Sequence, residues 1–141
     1  MTLKPFAIAY AAAAVIFLAL DSVWLSTMAD RLYRPALGHL LRERFALGPA
    51  AAFYLIYLLG IVVFAVAPGL QQRSWPTALG LGALLGLMAY ATYDLTNQAT
   101  LKNWPWHVTL IDLCWGTVVT ALTAGGACWI AARFSGHAAA G

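Results

Sequence analysis

Four long apolar stretches, separated by short polar connections, run the length of the chain: about 6–27, 47–66, 77–97 and 106–134. Each has the ~20 residues needed to cross ~30 Å of hydrocarbon as a helix, which predicts four transmembrane helices. Pro68, Gly69, Gln71, Gln72, Arg73, Ser74 and Pro76 mark a short turn between the second and third stretches. Gln98 to Pro105 marks another between the third and fourth. Trp75, Trp104, Trp106 and Trp129 fall near predicted span ends, where indole rings favour the membrane–water boundary.

The first connection, about 28–45, has a different pattern. Arg31, Arg34, Arg42 and Arg44 are interleaved with Leu32, Tyr33, Leu37, Leu40, Leu41 and Phe45 and interrupted by Pro35. This reads as a basic amphipathic segment of one or two short helices lying in the headgroup region. A solvated loop whose arginines only set topology is the competing reading. A cleaved signal peptide ending near Ala29 would suit Lys4 and the apolar run after it. Asp21 and Trp24 inside that run, and the multi-span remainder, favour a true span.

Composition agrees with the pattern. At 62% hydrophobic and 9% charged, the 141 residues are far more apolar than a soluble domain, in which about a quarter of residues are charged. The fold class expected is an all-α membrane protein: one integral domain, 1–141, of four transmembrane helices with the basic segment between the first and second. The net charge of +3 lies in the connections, which suits anionic lipid headgroups and argues against nucleic acid. Arg31, Arg34, Arg42, Arg44 and Lys102 are the candidate headgroup contacts. These five basic residues fall on one side of the membrane, and Lys4, Arg73 and Arg133 on the other. The positive-inside rule therefore favours cytoplasmic first and third connections, with both termini outside.

Against this background the acids stand out. Asp21, Asp94 and Asp112 are three of only five acidic residues, and all lie in the apolar stretches. An aspartate at the centre of a membrane helix costs roughly 2.5–3.5 kcal/mol on insertion scales, so such residues mark a polar site by default. The alternating direction of the spans brings all three to the membrane side of the basic connection, where they can form one layer. Trp24 follows Asp21, and Trp115 follows Asp112, at a spacing that places acid and indole on one helix face. Tyr90, Asp94 and Asn97 share a face in the third span, with Tyr93 nearby. His107 precedes Asp112 on the same membrane side. The candidate site is therefore Asp21, Trp24, Tyr90, Tyr93, Asp94, Asn97, His107, Asp112 and Trp115.

Asp112, Gly116, Thr120, Ala124, Cys128 and Ala132 recur at every fourth position, and Gly82 and Gly86 do so in the third span. Small residues in this pattern permit close helix contact, within the chain or in a homodimer. His107 reads more simply as an interfacial histidine than as a metal ligand, because no HxxxH or ExxH spacing surrounds it; His39 and His137 carry less weight still. No metal is assigned and no cofactor is specified, although carboxylates with Asn97 offer oxygen ligands. Cys114 and Cys128 are ~21 Å apart along one helix and cannot pair within the chain. No nucleophile motif or glycine-rich phosphate loop is present.

Four segments carry a family resemblance: Leu20-Asp21-Ser22-Val23-Trp24-Leu25, Tyr33 to Leu41 (YRPALGHLL), Tyr93 to Pro105 (YDLTNQATLKNWP) and Asp112 to Thr117 (DLCWGT). In this order they resemble the domain-of-unknown-function family 2177, multi-pass bacterial membrane proteins. The resemblance implies a four-span protein of the bacterial inner (plasma) membrane and brings no activity or substrate with it. It places Asp21, Trp24, Tyr93, Asp94, Asn97, Trp104, Pro105, Asp112 and Trp115 at motif positions.

Three functions compete on these residues. A small transporter, channel or binding protein would use the acids to take a cation, proton or polar headgroup, with the indoles favouring an organic cation. A membrane enzyme or enzyme subunit acting on lipid would use an aspartate as acid or base. A structural or partner-binding subunit would use the same groups only to hold helices together.

Overall fold

In the computed structural model, which describes residues 2–136, each apolar stretch forms one helical run. These are α1 (Leu3–Leu37), α2 (Leu47–Gln71), α3 (Trp75–Thr100) and α4 (Trp106–Phe134). All four are long and apolar enough to span a membrane, so the chain is an all-α membrane protein. His137 lies outside the described residues.

α1 and α2 extend beyond the lengths read from hydropathy. Pro35 does not interrupt the first connection, and Pro68 does not begin the second. Proline lacks the N–H that would bond four residues back, and its ring collides with the carbonyl there. Each helix meets this problem with a π turn just before the proline, Ala29–Tyr33 in α1 and Val62–Val66 in α2. The Arg34 N–H bonds the Ala29 carbonyl and the Ala67 N–H bonds the Val62 carbonyl, each five residues back. That wider turn accommodates the ring and the helix continues. The first half of the basic connection is thus an extension of α1, with Leu32 and Leu37 buried against Trp104 and Val108. Only the part after Leu37 is turn and irregular chain leading to α2.

The short turns follow from local chemistry. Ser74 caps α3, its hydroxyl accepting the Thr77 N–H at 3.2 Å, with Pro76 in the first turn. Arg73 and Asn103 adopt left-handed backbone, with φ of 51° and 62°, which reverses the chain tightly on either side of α3. Trp104 departs from its expected interfacial place: it is buried, and its indole N–H donates to the Thr109 hydroxyl at 3.0 Å. Thr109 donates to Gln98 Oε1 at 2.8 Å, and Gln98 Nε2 donates to the Trp104 carbonyl at 2.6 Å. This closed ring of bonds locks the α3–α4 turn. Replacing Thr109 with valine keeps the volume but leaves the Trp104 indole without its acceptor. A loss of about 1–2 kcal/mol is expected in unfolding of the detergent-solubilised protein.

α4 is the most enclosed helix. Its Gly116, Thr120, Ala124, Cys128 and Ala132 are buried, so the small-residue stripe is used within the chain. Gly82 of α3 lies against Ala124 and Thr120, and Gly86 against Gly116 and Thr120. An apolar core of Ala9, Ala13, Phe17, Ile61, Val62 and Val119 completes the packing. α2 is attached unevenly: its second half packs on α3, whereas its first half leans chiefly on α1. A gap therefore opens between the first half of α2 and the second half of α3.

Candidate functional site

The antiparallel pair α1 and α4 builds the site from two copies of one pattern, an aspartate followed three residues later by tryptophan. Trp24 and Trp115 stack face to face, with ring centroids 4.4 Å apart and planes 6° from parallel. Each indole then serves the acid of the other helix. The Trp115 N–H points to Asp21 Oδ1 at 3.4 Å, a long contact. The Trp24 N–H donates to the Tyr33 hydroxyl at 2.9 Å, and Tyr33 donates in turn to Asp112 Oδ1 at 2.5 Å. A second phenol completes the pairing: Tyr54 of α2 donates to Asp21 Oδ2 at 2.7 Å. Both acids are buried, each with aromatic donors.

Asp94 is treated differently. It is fully buried on α3 beside Asp112, yet neither of its carboxyl oxygens has a hydrogen-bond partner among the described residues. The three acids lie in one neighbourhood, as expected, but on two levels. Asp21 meets Trp115, which lies ~4.5 Å further along α4 than Asp112, so Asp94 and Asp112 sit closer to the basic connection.

Two of the cavities beside this network are lined by its acids. The larger, about 400 Å³, is walled by Trp24, Trp115, Phe53, Tyr54, Tyr90 and Tyr93, and Asp21 is its one acidic residue. It lies where the first half of α2 parts from α3. The second, about 270 Å³, is lined by Asp112, Trp104, Arg34, Arg42 and Glu43 and leads toward the basic connection. Leu25, Tyr33 and Tyr93 line both and form the partition between them. Tyr90 is held by close contact, its ring lying on Gly116 where any Cβ would collide. Tyr93 stands edge-on to Trp104, with centroids 5.8 Å apart.

Most of the expected residues converge. Asp21, Trp24, Tyr90, Tyr93, Asp94, Asp112 and Trp115 share the neighbourhood. Asn97 does not line either cavity; it is half-buried, one turn beyond Tyr93 and beside that side chain. His107 is exposed and away from both cavities. Five residues separate it from Asp112, a rotation of ~140° around the helix, which carries it to another face. Arg31, Arg44 and Lys102 are exposed, while Arg34 pairs with Asp30 at 2.7 Å and lines the second cavity with Arg42. Among the described residues, no group of three or more His, Cys, Asp or Glu could hold a metal ion.

Tyr33, Phe53 and Tyr54 also belong to this constellation. Tyr33 belongs to the segment expected as the basic connection, and Phe53 and Tyr54 to the second predicted span, which supplied no candidate site residue. A phenol within an apolar stretch needs a partner for its hydroxyl, which is the one signal the sequence carries for Tyr54.

These features define a small four-helix membrane protein with three acids buried beside aromatic side chains. The chain belongs to the family described as predicted membrane protein (DUF2177), whose model matches residues 6–129 and so includes every acid and aromatic residue of the site. No curated protein and no solved structure matches it.

Proposed function

We propose that this protein binds, and in the membrane carries or senses, an organic cation with an apolar body. The observation that supports this most is the single carboxylate, Asp21, set in the wall of a cavity made mainly of aromatic side chains, with Leu25 and Ala89. Aromatic rings attract a cation that is weakly hydrated, and a carboxylate supplies the counter-charge. About 400 Å³ suits a small ligand. The gap between α2 and α3 gives such a ligand a sideways route from the bilayer, where an amphiphilic cation would concentrate. We place the protein in the bacterial inner membrane, with the basic connection toward the cytoplasm and its exposed arginines on anionic headgroups.

The direct test is intrinsic tryptophan fluorescence of the purified protein titrated with benzyltrimethylammonium, with benzyl alcohol as the neutral comparison. The cation is expected to quench and the alcohol to leave the signal unchanged. Asp21→Asn keeps one acceptor, for the Trp115 indole, and offers an amide N–H that the Tyr54 hydroxyl can accept, but removes the charge. It is expected to weaken binding at least about tenfold, or about 1.4 kcal/mol. Equal responses to cation and alcohol, or full binding by Asp21→Asn, would refute the proposal.

A structural reading has one observation in its favour: Asp21 already receives two donors, so no ligand is needed to satisfy it. On that reading Asp21→Asn destabilises the fold and no cation shifts the fluorescence. No feature of the site favours the lipid-enzyme alternative over these two.

A further inference from the structure

We infer that Asp94 and Asp112 form a second site, distinct from the aromatic cavity, that takes up one small cation, a proton or an alkali ion, from the side of the basic connection. The inference starts from Asp94, fully buried with both carboxyl oxygens unpartnered. A buried polar group without a partner is unfavourable, and a charged one far more so. Four donors of the site are engaged elsewhere. Tyr33 bonds Asp112, Trp24 bonds Tyr33, Tyr54 bonds Asp21, and Trp104 bonds Thr109.

The charged surroundings supply no counter-charge either. Asp112 faces Asp94 from α4, Tyr33 faces the pair from α1, and Tyr90 and Tyr93 flank it on α3. Asp21 adds a further acid from α1, and the nearest titratable group of α2, Tyr54, is bonded to it. Across the second cavity, Arg34 is paired with Asp30, and Arg42 lines the same cavity as Asp112, with no ion pair to either acid of the pair among the described residues. Two facing acids with no basic partner are best satisfied by a single shared positive charge. A proton needs only two facing oxygens. An alkali ion would add the Tyr33 oxygen to the carboxyl oxygens, whereas a divalent ion would lack a third acidic ligand. Asp112 lines the second cavity, which gives the cation its path.

This inference does not depend on an organic cation occupying the aromatic cavity, and its test does not use one. The unfolding midpoint of the full chain in detergent is measured from mildly acidic to mildly alkaline pH in choline chloride. It is then measured at fixed pH with sodium or potassium replacing choline at equal ionic strength. A ligand bound by the native state raises the midpoint in proportion to its occupancy. A proton in the site appears as a midpoint that falls by several degrees as pH rises. An alkali ion appears as a saturable rise with sodium or potassium.

Asp94→Asn, which is uncharged and can donate to Asp112, is expected to abolish the dependence. If Asp94→Asn fails to fold, Asp112→Asn, whose side-chain oxygen still accepts from Tyr33, is read in the same way. A wild-type midpoint indifferent to pH and to both ions, or a dependence that survives neutralisation of the pair, overturns the inference.

Discussion

Gly86→Ala is expected to destabilise the protein by about 2–3 kcal/mol, although the change adds a single methyl group and favours helix. The reason is what the new Cβ would meet. It would run into the Gly116 backbone carbonyl and lie 2.7 Å from the Thr120 Cβ. A flexible side chain can rotate away, but a backbone carbonyl moves only if the helices separate. Separation of α3 from α4 would also loosen Tyr90 from Gly116 and part Asp94 from Asp112, so the site should deteriorate along with the fold. Gly80 offers the comparison, because a Cβ there meets nothing within 4 Å. Gly80→Ala is expected to leave stability unchanged or slightly raised. Unfolding midpoints of the two variants in one detergent decide the matter: equal behaviour would mean that close α3–α4 contact does not limit stability.

The same close contact explains why the small-residue pattern was informative. Glycines at positions 82, 86 and 116 signal that two backbones approach, and Asp112 lies on the same stripe, so its direction was legible with them. The bounds of α4 were equally legible, because hydropathy and Pro105 agree on its start. The ends of α1 and α2 were not. Pro35 and Pro68 read as stops because proline opposes the α-helical ladder, and a π turn that absorbs proline leaves no trace in hydropathy.

In the site, the acids and their indoles were legible from the cost of burying charge and from helical spacing. Tyr33 and Tyr54 were not, because their partners are set by the register between helices. Asp21 and Tyr54 are 33 positions apart, and Tyr33 and Asp112 are 79 apart. The extension of α1 beyond its first π turn is what carries Tyr33 to Asp112. The unread helix end and the unread site residue therefore share one cause.

That dependence makes Tyr33→Phe a sharp test of the network. The substitution removes one oxygen, and with it the acceptor of the Trp24 indole and the donor to Asp112. Both partners lie in a partly or fully buried setting, so water cannot fully replace the lost bonds. In water-soluble proteins each orphaned group would cost about 1–3 kcal/mol, but membrane hydrogen bonds average nearer 0.6 kcal/mol because the unfolded chain also finds partners. A combined loss of about 1–3 kcal/mol is expected for Tyr33→Phe, with the Trp24–Trp115 stack loosened and tryptophan emission shifted.

Pairing the change with Asp112→Ala, which leaves Tyr33 no acceptor, in a double-mutant cycle isolates the bond itself. The two substitutions together should cost less than the sum of each alone, since the second removes a bond already lost. Additive losses would mean that Tyr33 acts by filling space between the cavities. A coupled loss would establish that its hydroxyl ties the acid of α4 to the indole of α1, which makes the partition between the two cavities part of the polar network.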